Sequence, residues 1–281
     1  MKIGDYKLIP IQTGLLKLDG GAMFGIVPKT LWSKTNPADE KNRIEMCSRS
    51  LLLDNGKERI LIDTGTGQKL PSKLKDIYAV DNNEYTPEKS LATAGYSTDD
   101  ITTVLLTHLH FDHAGGNTFL NEEGKPQITF KNAEYLLQSK HFEWANNPTD
   151  RDRASFFPDD FIPLAEQGRL KLIEGDYKIN DVISLHPVNG HTRNMSVVKI
   201  SDGDETLIYL ADLIAMSSQL HLPFIMGYDL FPVVTLEEKR KYLSDAVKGN
   251  WSLFFEHDPY TECVKPGFYK DKYFIKEKFT L

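Results

Sequence analysis

An α/β fold is the class that this 281-residue sequence predicts. Three observations carry it. Thr102 to Thr107 is an apolar, β-branched run, the pattern of a strand buried on both faces. Trp251 to Glu256 is a second run of that kind. Between them, Leu236 to Val247 spaces its apolar residues as one face of a helix. Thr235 is the expected N-cap and Gly249 stands near the expected end.

The other elements follow in order. Asp5 to Gln12 reads as a strand that leads towards the Gly20–Gly21 turn. Ser48 to Leu53 and Arg59 to Asp63 read as a hairpin around Asp54-Asn55-Gly56. Pro87 to Ala94 has the marks of a helix: Thr86 as N-cap, Pro87 in the first position and Gly95 past the end. Ser139 to Ala145 is expected to be a short helix. Residues 146–168, rich in Asp, Pro and Phe, are expected to connect two halves over the surface. Leu170 to Ile173, Val182 to His186, Met195 to Ile200 and Thr206 to Ala211 read as strands. One domain over 1–281 is expected, in two halves of roughly 1–145 and 146–281, because both halves contribute candidate ligands.

Apolar residues make up 40% and charged residues 26%, so a packed core is expected and disorder is not. The net charge of −7 argues against nucleic acid or an anionic membrane as a partner. Cys47 and Cys263 form no CxxC motif and are expected to be reduced, partly buried thiols. The start, MKIGDYKLIPIQTG, has no apolar signal-peptide core, and no stretch approaches the ~18 apolar residues of a membrane span. A cytoplasmic protein is expected.

The chemistry concentrates in Thr107-His108-Leu109-His110-Phe111-Asp112-His113-Ala114-Gly115-Gly116. Four potential metal ligands fall within six residues, directly after a buried strand. Imidazole and carboxylate together suit zinc, iron, manganese or cobalt. Three further candidates stand at strand ends, where α/β sheets present functional side chains: His191, Asp212 and His257. Asp212 is the natural bridge, since one carboxylate can give an oxygen to each of two ions. A lone histidine at a strand end is more often an ordinary hydrogen-bonded residue, and His141 and His186 are expected to be of that sort. The block of four is what raises the later three above it.

With these residues the chain resembles the metallo-β-lactamase superfamily. His108 to His113 match its HxHxDH pattern, His191, Asp212 and His257 match its later ligands in order, and Asp63-Thr64-Gly65 is similar to its early strand-end motif. The resemblance implies an αββα sandwich of two mixed β-sheets flanked by helices. It also implies a dinuclear site with two divalent ions per chain, zinc first among them. Asp19 to Pro28, with Leu31-Trp32, resembles the quorum-quenching N-acyl-homoserine lactone lactonases of that superfamily. One departure stands out. The third motif, which many members continue as GHTPGH, reads Gly190-His191-Thr192-Arg193-Asn194 here.

The expected function is opening of a lactone ring by a metal-bridged hydroxide. Asp112 is expected to be the acid for the leaving alkoxide, a role implied by the resemblance, and Asp212 the bridging carboxylate. Tyr228 is a candidate hydrogen-bond donor to the substrate carbonyl. Met23, Phe24, Trp32 and Phe111 are candidates to line an acyl-chain pocket, with ordinary core packing as the competing expectation. Phe156, Phe157 and Phe161 could add a lid. The expected partner is a small ester or lactone, and a homodimer through the Met23–Trp32 loop is compatible with the sequence. Two competing functions are a phosphotriester hydrolase of the methyl parathion type and a metallo-nuclease, the latter disfavoured by the acidic balance.

Overall fold

The computed structural model describes every residue except Asn82. Among the described residues the strands are β1 (Lys2–Ile3), β2 (Tyr6–Asp19), β3 (Arg43–Asp54), β4 (Arg59–Ile62), β5 (Thr103–Leu105), β6 (Thr118–Leu120), β7 (Pro126–Ile128), β8 (Glu134–Gln138) and β9 (Leu170–Ile173). The second series is β10 (Tyr177–Lys178), β11 (Ile183–Val188), β12 (Met195–Asp202), β13 (Glu205–Tyr209), β14 (Ser252–Phe254), β15 (Cys263–Tyr269) and β16 (Lys272–Phe279). The helices are α1 (Gly20–Phe24), α2 (Lys29–Trp32), α3 (Ser72–Ile77), α4 (Pro87–Thr93), α5 (Phe111–Ala114), α6 (Ser139–Asn146), α7 (Ile162–Glu166) and α8 (Pro232–Gly249).

Two large mixed sheets result, as the α/β expectation requires. One has the order β1-β2-β3-β4-β5-β8-β9 and the other runs β10 to β16 in sequence order. In the first, β4, β5, β8 and β9 pair in parallel. The buried residues of β4, β5 and β8, Leu61, Ile62, Val104, Leu105, Leu136 and Leu137, explain the unbroken apolar runs, because parallel strands are covered on both faces. In the second, only β13 and β14 are parallel. The intervening α8 makes that crossover possible. No helix among the described residues is long and apolar enough to cross a membrane.

The chain divides into two compact units, Met1–Leu16 with Ser48–Gly175 and Lys17–Cys47 with Asp176–Leu281. The core of the first gathers Leu52, Leu61, Val104, Leu106, Phe130 and Tyr135. Phe156, Phe161 and Leu164 belong to it too. Residues 146–168 are therefore not merely a surface connector. Short helical turns and α7 carry Phe156, Phe161 and Leu164 inward, while most of the segment stays exposed. In the second unit Tyr209 stacks on Phe254 at 5.3 Å, across the parallel pair.

Local signals held unevenly. Thr86 caps α4 as expected, its side chain accepting from the Lys89 amide with Pro87 next to it. Thr235 does not cap α8. Pro232 starts that helix three residues earlier, after Phe231, so Thr235 lies buried inside it. The far end falls at Gly249, as expected, and Asn250, left-handed with φ 53°, caps it.

Candidate metal centre

In the first unit the chain leaves β5, and Asp63 catches it. The Asp63 carboxylate accepts from the Thr107 amide at 2.8 Å and from its hydroxyl at 2.7 Å. The same carboxylate stands 3.1 Å from Nδ1 of His113. Asp63 holds this position with φ 56°, a conformation unusual for any residue but glycine. The Thr107 hydroxyl, spent as a donor on Asp63, is an acceptor for His108 Nδ1 at 3.1 Å. His108 Nε2 lies 3.1 Å from His110 Nδ1, and the His108 and His113 rings are 3.9 Å apart. Asp112 and His113 sit on the single turn of α5, whose Thr64–His113 and Gly65–Gly116 backbone bonds tie it to the Asp63-Thr64-Gly65 corner. All four candidate ligands of this unit are buried.

Gly67, Gly115 and Gly116 make that close approach possible. A Cβ on Gly115 would meet the Thr66 carbonyl oxygen at 2.2 Å, and one on Gly116 the Thr64 carbonyl oxygen at 2.2 Å. Lys69 closes the arrangement. Its ammonium bonds the carbonyls of Gly115 and Thr118 and pairs with buried Asp160 at 2.9 Å. Leu109, between the two histidines, is fixed by His141, whose Nε2 accepts its amide at 2.9 Å.

In the second unit Asp212 follows β13 on a short helical turn, and its two oxygens point at different histidines. Oδ2 lies 3.1 Å from His191 Nε2 and Oδ1 lies 3.3 Å from His257 Nε2. The outer nitrogen of each ring has its own acceptor. His191 Nδ1 meets Asp229 Oδ1 at 2.9 Å, and His257 Nδ1 meets the Cys47 carbonyl at 2.7 Å. Next to His257, Asp258 accepts from the Ser217 amide and hydroxyl and from the amides of Tyr260 and Thr261.

These donor sets fit metal ions, on a chemical argument internal to each unit. With Nδ1–H spent on an acceptor, the Nε2 of His108, His113, His191 and His257 carries a lone pair. That lone pair then faces a carboxylate oxygen in two pairs, Asp212 with His191 and with His257, while His110 Nδ1 lies within hydrogen-bond distance of His108 Nε2. Two acceptors cannot stay in contact in a buried place without a cation between them. Bonds of about 2.0–2.2 Å to one ion put neighbouring ligand atoms roughly 3–3.4 Å apart, which is the spacing seen. Without a metal the cation is a proton. Burial alone would lower the pKa of His191, but the carboxylates of Asp212 and Asp229 outweigh it and raise it to about 10.

The remaining candidates fall in two places. Phe111 is buried in the first unit, stacked on Tyr78 at 5.2 Å and edge-on to Phe157 at 6.2 Å. Burial, with the Asp112 charge behind it, pushes the Tyr78 phenol up. Met23, Phe24 and Trp32 are buried in the second unit, where Phe24 lies parallel to Trp32 at 5.4 Å. Tyr228 stands half-exposed beside Asp229. The sequence assigns no role to Asp229, to the Cys47 carbonyl or to Thr107. Asp229 stands there as the neighbour of Tyr228, and Thr107 as the first residue of the metal motif.

Comparisons with known proteins agree with this chemistry. An N-acyl homoserine lactonase of Bacillus thuringiensis is 25% identical over 227 residues, 74% of this chain and 79% of that one. A probable metal-dependent hydrolase of known structure from Staphylococcus aureus superposes with a TM-score of 0.86 at 27% identity, over 100% of both chains. AidC, a dizinc quorum-quenching lactonase solved with a homoserine product, superposes with a TM-score of 0.82 at 22% identity, over 100% of this chain and 97% of that one, and shares the fold. The sequence pattern of the Metallo-beta-lactamase superfamily matches residues 48–248. The chain belongs to that superfamily and is one of its metal-dependent hydrolases.

Proposed function

We propose that this protein opens the ring of N-acyl homoserine lactones with two divalent ions, held by His108, His110, Asp112, His113, His191, Asp212 and His257 together. The observation that carries the two-ion reading is Asp212, which offers one oxygen beside His191 and the other beside His257. A carboxylate shared by two ions is presented in that way. The choice of lactone is supported by the lactonase relatives that align with three-quarters of the chain.

Divalent ions bound there, zinc or else iron, manganese or cobalt, would supply a Lewis acid and bring the pKa of a water from ~15.7 towards ~7. The protein's own groups do the rest. Asp63 and Asp229 fix the tautomers of His113 and His191, so the ligand bond of each ring would come from Nε2. Asp112 holds the proton that the leaving alkoxide takes up. Tyr228 donates its phenolic hydrogen to the carbonyl oxygen as negative charge develops there. Phe111 contacts the acyl chain, whereas Met23, Phe24 and Trp32 serve as core packing of the second unit. The substrate is a small molecule, and the site of action is the cytoplasm.

The test is proton release by the metal-loaded protein on a panel of acyl-homoserine lactones, with an aryl phosphotriester beside it. Fast lactone opening that Asp212→Ala abolishes is the expected result. Triester turnover without lactone turnover would keep the metal chemistry and discard the lactone.

A further inference from the structure

The loop between β11 and β12, residues 189–194, carries His191. It lies beyond the β11–β12 ladder, so other contacts hold its backbone. Four groups of contacts do so, all within the second unit. Glu238 of α8 turns its carboxylate to two consecutive amides, accepting from Asn189 N at 2.7 Å on Oε1 and from Gly190 N at 3.0 Å on Oε2. The next two carbonyls, of Gly190 and His191, accept from Phe231 and Leu230 at 2.9 and 3.1 Å. Asn189 Oδ1 closes the loop on Asn194, accepting from its amide at 3.1 Å and its side chain at 3.3 Å. Arg193 lies over the Phe231 ring at 3.8 Å.

Glycine at 190 is part of the same device. A Cβ there would meet Thr235 Oγ1 at 2.2 Å and the Thr235 backbone at 2.5 Å. The loop thus rests directly on the helix that supplies Glu238, and Thr235 and Glu238 are one turn apart on it.

We infer that Glu238 is a positioning residue for His191: it fixes the main chain that carries the ring, as Asp229 fixes the ring itself. The functional consequence rests on the metal-binding reading of His191 but not on the lactone. Amide–carboxylate bonds are charge-assisted and among the stronger ones. Both oxygens are used, so a neutral isostere cannot replace both bonds. The amide nitrogen of a glutamine would face one N–H with its own hydrogens.

The experiment is a zinc competition against a chromophoric chelator, run on Glu238→Leu, Glu238→Gln and the exposed neighbour Glu237→Gln, with His191→Ala as reference. His191→Ala shows which binding step depends on that histidine. Glu238→Leu is expected to weaken that step about 10- to 100-fold and to leave the other step near its wild-type value. Glu238→Gln, with one acceptor, should recover part of the loss, and Glu237→Gln should match wild type. A purely structural role would weaken both steps together and lower the melting temperature of the metal-free protein in proportion. Either that pattern or an unchanged His191-dependent step in Glu238→Gln and Glu238→Leu overturns the inference. Should Glu238→Leu fail to fold, Glu238→Gln decides alone, and an unchanged constant overturns it. Failure of the two-ion reading would show separately, as a single zinc per wild-type chain.

Discussion

Asp229 holds His191 from behind: its Oδ1 lies 2.9 Å from the ring's Nδ1 and leaves Nε2 to face Asp212. The two residues are 38 positions apart, and both are buried. The bond decides which nitrogen carries the hydrogen, and so which one can bind an ion.

Replacing Asp229 should therefore act on metal affinity before anything else. Asp229→Leu is expected to bind zinc about 10- to 100-fold more weakly at the step that needs His191. Asp229→Asn keeps an acceptor and should lose less. Chelator competition on both variants checks this, and equal affinities for the two would contradict it.

Two buried groups give the metal-free protein opposing pH dependences. The folded pKa of His191 is raised from 6.5 to about 10, so its contribution to stability is full below 6.5 and is lost as pH climbs towards 10. Lys239 runs the other way. Burial lowers its amine from 10.5 to about 7, against the opposing pull of Asp229. Between 7 and 10.5 the unfolded chain binds the extra proton, so this group makes stability rise with pH. Denaturant unfolding of metal-free Lys239→Met should fall more steeply than wild type across that range. A parallel pair of curves would show that Lys239 keeps an ordinary pKa. Its two bonds, to the carbonyls of His221 and Phe224, are lost in the variant at every pH and should shift the whole curve down.

Lys69 and Asp160 form a buried pair that also satisfies the carbonyls of Gly115 and Thr118. Lys69→Met leaves Asp160 buried without its partner and should cost about 3–5 kcal/mol. Adding Asp160→Asn should recover a good part of that. Urea unfolding of the single and double variants measures both terms. A double variant no more stable than Lys69→Met would mean that the carbonyl bonds, and not the charge pair, carry the cost.

The parts of this molecule that were legible in its sequence are the parts built locally. Four ligands in the six residues from His108 to His113 need no tertiary knowledge to be noticed, and Thr86-Pro87 announces α4 because a cap and a first-turn proline act on their own neighbours. Asp229, Glu238 and the Cys47 carbonyl act on residues 38, 48 to 49 and 210 positions away, so nothing near them in the chain marks them. Thr235 looked like a cap because threonine suits that place, but Pro232 had already begun the helix. The β15–β16 hairpin escaped notice because Pro266 and Gly267 break the run of strand formers, and a register shift at Lys265/Pro266 accommodates them. β8 was hidden likewise, its Glu134 to Gln138 too short to separate from the helix that follows.

The most direct test of the central claim is to titrate metal-free protein with zinc while following the opening of an acyl-homoserine lactone. Activity is expected to reach its plateau at the second equivalent of zinc, and Asp212→Ala to show neither the second equivalent nor the plateau. Full activity at one equivalent, or two bound ions with no lactone opening at any chain length, would contradict it.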